Sequence, residues 1–592
     1  MGCTLHAVVQ GKNVIHPGVL DIAIEEKILS VEDLAAVELL AGMKGVRGKR
    51  ISPERVLLLA LAVRSTRDGH TCVSLDNLTS RLPERLMEKS LRLPRGAPGW
   101  IRLLSGASDL VELTPPDCKV RAVPPDAPLK PFVLDKHRLY TTRAWFAEEF
   151  VARELLSMVV PGGANRLQII LGGPGVGKTY TIANTLIERL SNPDSSDLRV
   201  ALVAPTGKAA KRMGEAILGE VSSRNVPDNV RERLEGLTPE TVHAFLGMRP
   251  GSDSARERYL SGEKLEVDLV IVDEVSMMSM ALLTRLLEAI PAQTELILVG
   301  DPDQLASVDA GSVLGDIDLS SRMSTQHLFC TTKRLVKQRR FGADSPIAAL
   351  VGAVKSGDEG SFFKVLESEL ARPADERTLN WIDPDDEIGR AAILKLAVDN
   401  ARAVQSLVIE SKSHLESEQR ELLARAYAEN LKVQVLCALR HGPAGVAGWN
   451  RLVGERVMGG RKQWCDGRPI MVVRNDRGVN LFNGDVGVVI DGDRPSAVFS
   501  SDLTEPLRSV ARIPEFETVY ALTIHKSQGS EYSHPVVVLP TESIPLVTRE
   551  LLYTAVSRAR DHLTILASAE VLRAALGQTI NRATGLADRL LT

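Results

Sequence analysis

The sequence predicts an α/β protein with two parallel-sheet units, a small β-barrel inserted in the second, and a helical domain ahead of them. Three observations carry this reading. From Arg166 onward, short apolar runs alternate with amphipathic helical stretches; one run leads into a glycine-rich loop; and a second series of runs, starting near Val433, is broken by a stretch of different texture.

Residues 1–113 show helical periodicity, as in Ser52 to Val63, and hold none of the chemistry found later, so they are read as a separate helical domain. Prolines 115, 116, 124, 125, 128 and 131 make 114–131 unfit for a helix or central strand and suited to a stiff linker. The first α/β unit is expected over 132–345, with strands at Gln168 to Leu171, Arg199 to Val203, Leu269 to Asp273 and Glu295 to Val299. Such continuous apolar strands with helical crossovers belong to a parallel sheet covered on both faces. Within it, the polar segment 249–266, with Gly251, Ser252, Asp253 and Ser254, reads as a protruding hairpin. The second unit, 346–592, has strands at Val433 to Cys437, Thr518 to Ile524 and Pro535 to Leu539. Short strands and turns between them, at Pro469 to Val473, Asn483-Gly484-Asp485 and Gly487 to Ile490, mark an inserted β-barrel over 443–515.

Composition narrows the class without naming a partner. The chain is 44% hydrophobic and 25% charged, and Lys+Arg 72 against Asp+Glu 75 gives a net charge of −3, so any polyanion must be met by a local groove rather than a basic bulk. No run of about 18 apolar residues and no signal-like start is present, so no membrane role and a cytoplasmic location are expected. The six cysteines lack close pairs and read as reduced thiols.

The chemistry begins at Leu171-Gly172-Gly173-Pro174-Gly175-Val176-Gly177-Lys178-Thr179, after an apolar strand and before a helix. Glycines 172, 173, 175 and 177 let backbone N–H groups turn around a β-phosphate; Lys178 reaches the β/γ oxygens and the Thr179 hydroxyl holds Mg²⁺. This makes a nucleoside triphosphate the fuel. Leu269 to Glu274 is an apolar strand ending in two carboxylates, Asp273 to hold the metal and Glu274 to orient or deprotonate water. Gln304, past the strand end at Val299-Gly300-Asp301, can read the γ-phosphate. Arg340 and Arg558 can neutralise transition-state charge once the two units close; of the pair Arg339 and Arg340 either can serve, with Arg340, beside Phe341, preferred.

Taken together these segments resemble the superfamily-one helicases. Gly172 to Thr179, Ala204 to Ala210, Thr241-Val242-His243, Asp273 to Ser276, Gly300-Asp301 with Gln304, Ile524 to Glu531 and Leu551 to Arg560 stand in that family's order. Leu436 to Pro443, Arg474-Asn475-Asp476 with Leu481 to Asp485, and Val133 to Tyr140 resemble the RecD family, the alpha subunits of exodeoxyribonuclease V. The resemblance implies two RecA-like domains, an SH3-like inserted barrel, and an ATP-dependent, Mg²⁺-requiring motor moving 5′ to 3′ on single-stranded DNA. It also implies a heterotrimer with RecB-like and RecC-like subunits acting on tailed or blunt duplex ends in bacterial, nucleoid-associated break repair. The cutting activity of such a complex belongs to a partner, and no carboxylate-and-lysine cluster for a nuclease is seen here. By the same resemblance Pro174, Val176, Tyr180, Gly529 and Glu531 join the nucleotide site, while Pro205, Thr206, Lys208, Thr241, His243, Thr523, His525 and Lys526 contact DNA. The family's adenine-reading glutamine is absent from Thr142 to Leu156. The N-terminal domain is expected to dock partners. Alternatives are a stand-alone RecD-like helicase, whose relatives carry a longer N-terminal extension, and a structural subunit with a decayed ATPase.

Overall fold

The computed structural model describes residues 18–43, 51–89, 93–113, 130–160, 165–193, 197–248, 259, 262–323, 331–337, 342, 345–459, 464–476, 478–479, 481–500, 507–513 and 515–591. The N-terminal unit is a helical layer on a small sheet rather than helices alone. Its helix Pro53–Arg67 starts where the Ser52 hydroxyl accepts the Arg55 N–H and proline, which has no N–H to satisfy, takes the first turn. Strands β1 (Cys72–Ser74), β2 (Val111–Glu112), β3 (Phe132–Asp135) and β4 (Arg138–Thr141) form one sheet in the order β1-β4-β3-β2.

That sheet corrects the expected boundary. Val111 pairs with Phe132, and Phe132, Leu134 and Leu139 share one core with Leu57, Leu58 and Trp100. The proline-rich stretch therefore joins two halves of one apolar core, and the unit ends near Thr141 rather than at 113. Removing residues 1–113 is expected to leave an aggregation-prone motor, because Phe132 and Leu134 lose their cover, whereas removing 1–141 is less damaging; thermal melts of the two truncations check this.

The first motor sheet holds β5 (Leu167–Gly172), β6 (Val200–Ala204), β7 (Glu240–Thr241), β8 (Leu269–Val272), β9 (Glu295–Gly300) and β10 (Thr332–Leu335). Their order is β10-β5-β9-β8-β6-β7, and every pairing is parallel. Alternation along the strands feeds two cores: Ile169, Val270 and Leu296 enter one, Ile170, Ile271 and Ile297 the other. Of the expected hairpin 249–266, residues 249–258, 260 and 261 lie outside the described residues.

The second unit continues through β11 (Leu379–Ile382) and β12 (Val433–Cys437) into an insert. The insert comprises β13 (Pro469–Val472), β14 (Val486–Ile490), β15 (Ser496–Val498), β16 (Arg508–Ser509) and β17 (Phe516–Thr518), all antiparallel in the order β16-β15-β14-β13-β17. Among the described residues these pairings form one antiparallel sheet, and none joins β16 to β17. Its limits also differ from 443–515. The helix Val446–Met458 buries Trp449 and Val453 with Val435 and Val536 of the parallel sheet, while β17 runs past 515. After the insert, β18 (Ala521–Thr523), β19 (His534–Val538) and β20 (Leu563–Leu566) complete a parallel sheet ordered β11-β20-β19-β12-β18.

The chain then crosses back to the first unit, a second correction to the expected span 346–592. Leu586 and Leu590, one turn apart on the helix Leu586–Leu591, lie in the first unit's core. Just before it, Ala583 O accepts the Thr71 N–H at 3.0 Å and the Gly585 N–H donates to the buried Glu148. Arg582 donates to the carbonyls of Ser307, Asp309 and Gly311. No helix among the described residues is long and apolar enough to cross a membrane.

Candidate functional site

The loop after β5 turns through Gly175 (φ 73°) and Gly177 (φ 90°), left-handed positions that favour glycine. Gly173 is small for another reason: a Cβ there would lie 2.9 Å from the Tyr553 hydroxyl of the second unit. Lys178 opens the helix Lys178–Ser191, and its Nζ donates to the carbonyl oxygens of Gly172 at 2.8 Å and Gly173 at 3.0 Å, so the ammonium lies over the loop. Val176 is buried beneath. The loop forms one wall of a cleft of about 400 Å³ whose first-unit side includes Pro174, Thr179 and Tyr180 and whose second-unit side includes Gly529, Glu531 and Arg558. The Arg224 guanidinium stacks on the Tyr180 ring at 4.3 Å.

Asp273 and Glu274, at the end of β8, enter the same cleft. Burial first, and the neighbouring Glu274 second, raise the Asp273 carboxyl above its ordinary range, while Lys178 draws it down. Glu274 is held at φ 53° and ψ 41°, a left-handed conformation that costs a non-glycine residue about 1 kcal/mol, and its N–H donates to Asp273 Oδ1 at 2.8 Å. Glu274 Oε2 and Gln304 Oε1 are buried without a hydrogen-bond partner. Two free acceptors facing one cleft are a seat for a molecule that donates two hydrogen bonds, as water does. Thr179 and Asp273 supply the hydroxyl and carboxylate oxygens that a hard divalent cation takes.

Gln304 Nε2 donates to Asp301 Oδ2 at 3.0 Å. The loop it starts is tied to the second unit: the Leu305 N–H donates to Thr554 Oγ1 and Gln528 Nε2 to Leu305 O, both at 3.0 Å. Arg558 is buried, with Nε on Thr554 O at 3.0 Å and a terminal nitrogen on Ser530 O at 3.1 Å, so its donors now serve its own unit. Arg340 lies outside the described residues.

The expected DNA residues share one architectural device. Thr241 and Thr523 end parallel strands and Thr206 lies two residues past the end of another, and each hydroxyl accepts an N–H three residues on, from Ala209, Ala244 and Lys526. Pro205 and Lys208 flank the first of these turns, and His243, exposed, follows the second. His525 is half-buried; burial, with Arg440 beside it, lowers its pKa, so at neutral pH it offers an uncharged ring. Lys526 pairs with Glu517 of β17, and Lys208 lies near Asp485 of the insert, its pKa lowered to about 8 chiefly by burial. Gly207 has no room for a Cβ, since Phe482 of the insert is 2.7 Å away. The inserted sheet thus closes over the first of these turns.

Three residues without an assigned role in the sequence reading emerge here. Arg212, on the helix Gly207–Ser222, lines the cleft and reaches across it to Gly529 O and Glu531. Its signal was present: it sits among Ala209, Met213 and Ala216 on one helix face, where an arginine is out of place in a core. Tyr553 and Asp301 meet across the units at 3.1 Å, which no local pattern announces.

Comparison with known proteins gives three family matches: the AAA domain over residues 158–310, the UvrD-like helicase C-terminal domain over 518–566, and the N-terminal domain of RecBCD enzyme subunit RecD over 25–140. The last ends where β4 does, in accord with the unit drawn above. The chain is 36% identical to the RecBCD enzyme subunit RecD of Mycolicibacterium smegmatis, over 90% of this chain and 93% of that one, and 33% identical to that of Mycobacterium tuberculosis, over 95% of each. The ATP-dependent RecD2 DNA helicase of Deinococcus radiodurans is 30% identical over 75% of this chain and 53% of its own length. A solved Pif1 helicase from Bacteroides, 16% identical, covers 70% of this chain and 90% of its own with a TM-score of 0.36, too low to carry an argument.

Proposed function

The chain belongs to the RecD family of helicase subunits, and on that premise we propose that it is the 5′-to-3′ single-stranded DNA translocase of a RecBCD-type heterotrimer, working with RecB-like and RecC-like subunits on duplex ends. It is an ATP-dependent DNA helicase. The observation that best supports a live motor rather than a decayed one is the pair of buried, unpartnered acceptors, Glu274 Oε2 and Gln304 Oε1, in a cleft that also holds Lys178.

In this reading the loop N–H groups and Lys178 hold the β- and γ-phosphates, and Arg212 and Glu531 line the same cleft. Mg²⁺, held by Thr179 and Asp273, would neutralise phosphate charge. Glu274 and Gln304 align a water; its oxygen bonds to the γ-phosphorus, its proton passes to Glu274, and the bond to the β-phosphate oxygen breaks with its electrons staying on ADP. Arg558 leaves Ser530 O and Thr554 O to meet the developing charge when nucleotide fills the cleft between the joined units, and relaxes back after hydrolysis. Each cycle moves the Thr523 turn relative to the Thr206 and Thr241 turns, passing the strand between two phosphate grips. Lys208 is suited to this: its pKa of about 8 keeps it mostly charged at neutral pH, and a phosphate beside it replaces lost water and steadies that charge, so binding is salt-dependent. The N-terminal unit docks partner subunits.

Polarity tests the proposal. The purified chain is expected to unwind duplexes with a 5′ single-stranded tail and to leave 3′-tailed ones intact in a strand-displacement assay. Equal unwinding of both would overturn it.

A further inference from the structure

Tyr553 belongs to the second unit, on the helix Arg549–Val556, yet its hydroxyl is spent on the first. It lies 3.1 Å from Asp301 Oδ2, the oxygen that also accepts the Gln304 amide at 3.0 Å. Both Tyr553 and Asp301 are buried, and Asp301 Oδ1 takes the Asp303 N–H at 3.2 Å. A carboxylate can only accept. Gln304 must therefore turn its NH₂ toward Asp301 and its carbonyl the other way, which is why Gln304 Oε1 is left buried and unpartnered. The same Tyr553 hydroxyl fills the space a Cβ on Gly173 would need, so one phenol touches the phosphate loop and sets the amide across the boundary between units.

We propose that Tyr553 is a positioning residue for ATP hydrolysis: with the units closed, its hydroxyl fixes Asp301, and Asp301 fixes Gln304 with its carbonyl toward the attacking water. The inference rests on the reading of Gln304 as the residue that meets the water and γ-phosphate. Parting of the units withdraws the hydroxyl and frees the amide, so hydrolysis and domain closure share one bond chain. Other bonds hold this loop independently, Leu305 N–H to Thr554 and Gln528 to Leu305 O, so loss of the hydroxyl leaves the interface standing.

The test is a double-mutant cycle in the full chain, read as DNA-stimulated ATPase. Tyr553→Phe, which keeps the ring, is expected to lower kcat about tenfold while KM for ATP stays within about twofold. Added to Gln304→Ala, it is expected to cost nothing further, because Tyr553 then has no glutamine to place. A Tyr553→Phe enzyme with parent kcat, or one whose loss is the same with and without Gln304, overturns the relay; a merely structural tyrosine gives the latter. Parent activity in Gln304→Ala alone would instead overturn the role given to Gln304. Should Tyr553→Phe melt well below the parent, Asp301→Asn serves: an amide lets Gln304 turn either way, and the same fall in kcat at constant KM is expected, with unchanged kcat refuting the relay.

Discussion

Lys178→Gln is expected to cut DNA-stimulated ATP hydrolysis by about 10³-fold while the chain keeps its melting temperature. Two losses combine. The first is the positive charge laid over the loop by its bonds to Gly172 O and Gly173 O, where the β- and γ-phosphates would bind. The second is less evident: Lys178 draws down two buried carboxyls, Asp273, where Arg212 adds a smaller pull, and Asp301, both raised by burial. A neutral glutamine leaves those acids to protonate more readily, weakening the metal-holding side of the cleft together with the phosphate side. Steady-state ATPase with saturating single-stranded DNA, beside a thermal melt, checks this; hydrolysis near the parent rate would remove Lys178 from the site.

Glu274→Gln is expected to lower kcat by about 10²- to 10³-fold with KM for ATP equal to or below the parent's. The side chain keeps its length and the backbone its left-handed turn, so the shape of the cleft survives. What disappears is the carboxylate proposed to accept the proton. With it goes the repulsion that helps raise Asp273, so the neighbouring carboxylate becomes easier to keep ionised and nucleotide is held at least as well. A nucleotide-binding titration and a single-turnover rate separate the two effects. If binding falls with turnover, Glu274 is a structural residue and the attacking water is activated elsewhere.

Much of the cleft was legible because its parts are short and local. The loop Gly172 to Thr179, the strand-end acids Asp273 and Glu274, and Gln304 each carry their chemistry within a few residues of a strand end, where a parallel sheet must place them. The three threonine turns at 206, 241 and 523 share that address. Arg212 was legible in principle, as a charge on an apolar helix face.

Unit boundaries and the contacts between units were decided by pairings distant in sequence. Prolines 115 to 131 read as a linker because local backbone preference disfavours a helix there, yet β2 and β3 on either side are paired and share a core. Leu586 and Leu590 show only that the last helix has an apolar face; which unit covers it depends on the space left beside the first unit's core. The insert's alternating strands gave its texture, while its docking on Val404, Val408 and Leu423, and the absence of a β16–β17 pairing among the described residues, came from three dimensions. The sequence by itself determined the fuel, the family and the residues of the phosphate loop, since these follow from local motif chemistry. Tertiary structure alone decided that Tyr553 reaches Asp301 across 252 positions, that Arg212 bridges to Glu531, and that Arg558 is spent on its own backbone, because which donors meet which acceptors is set by how the two sheets face each other.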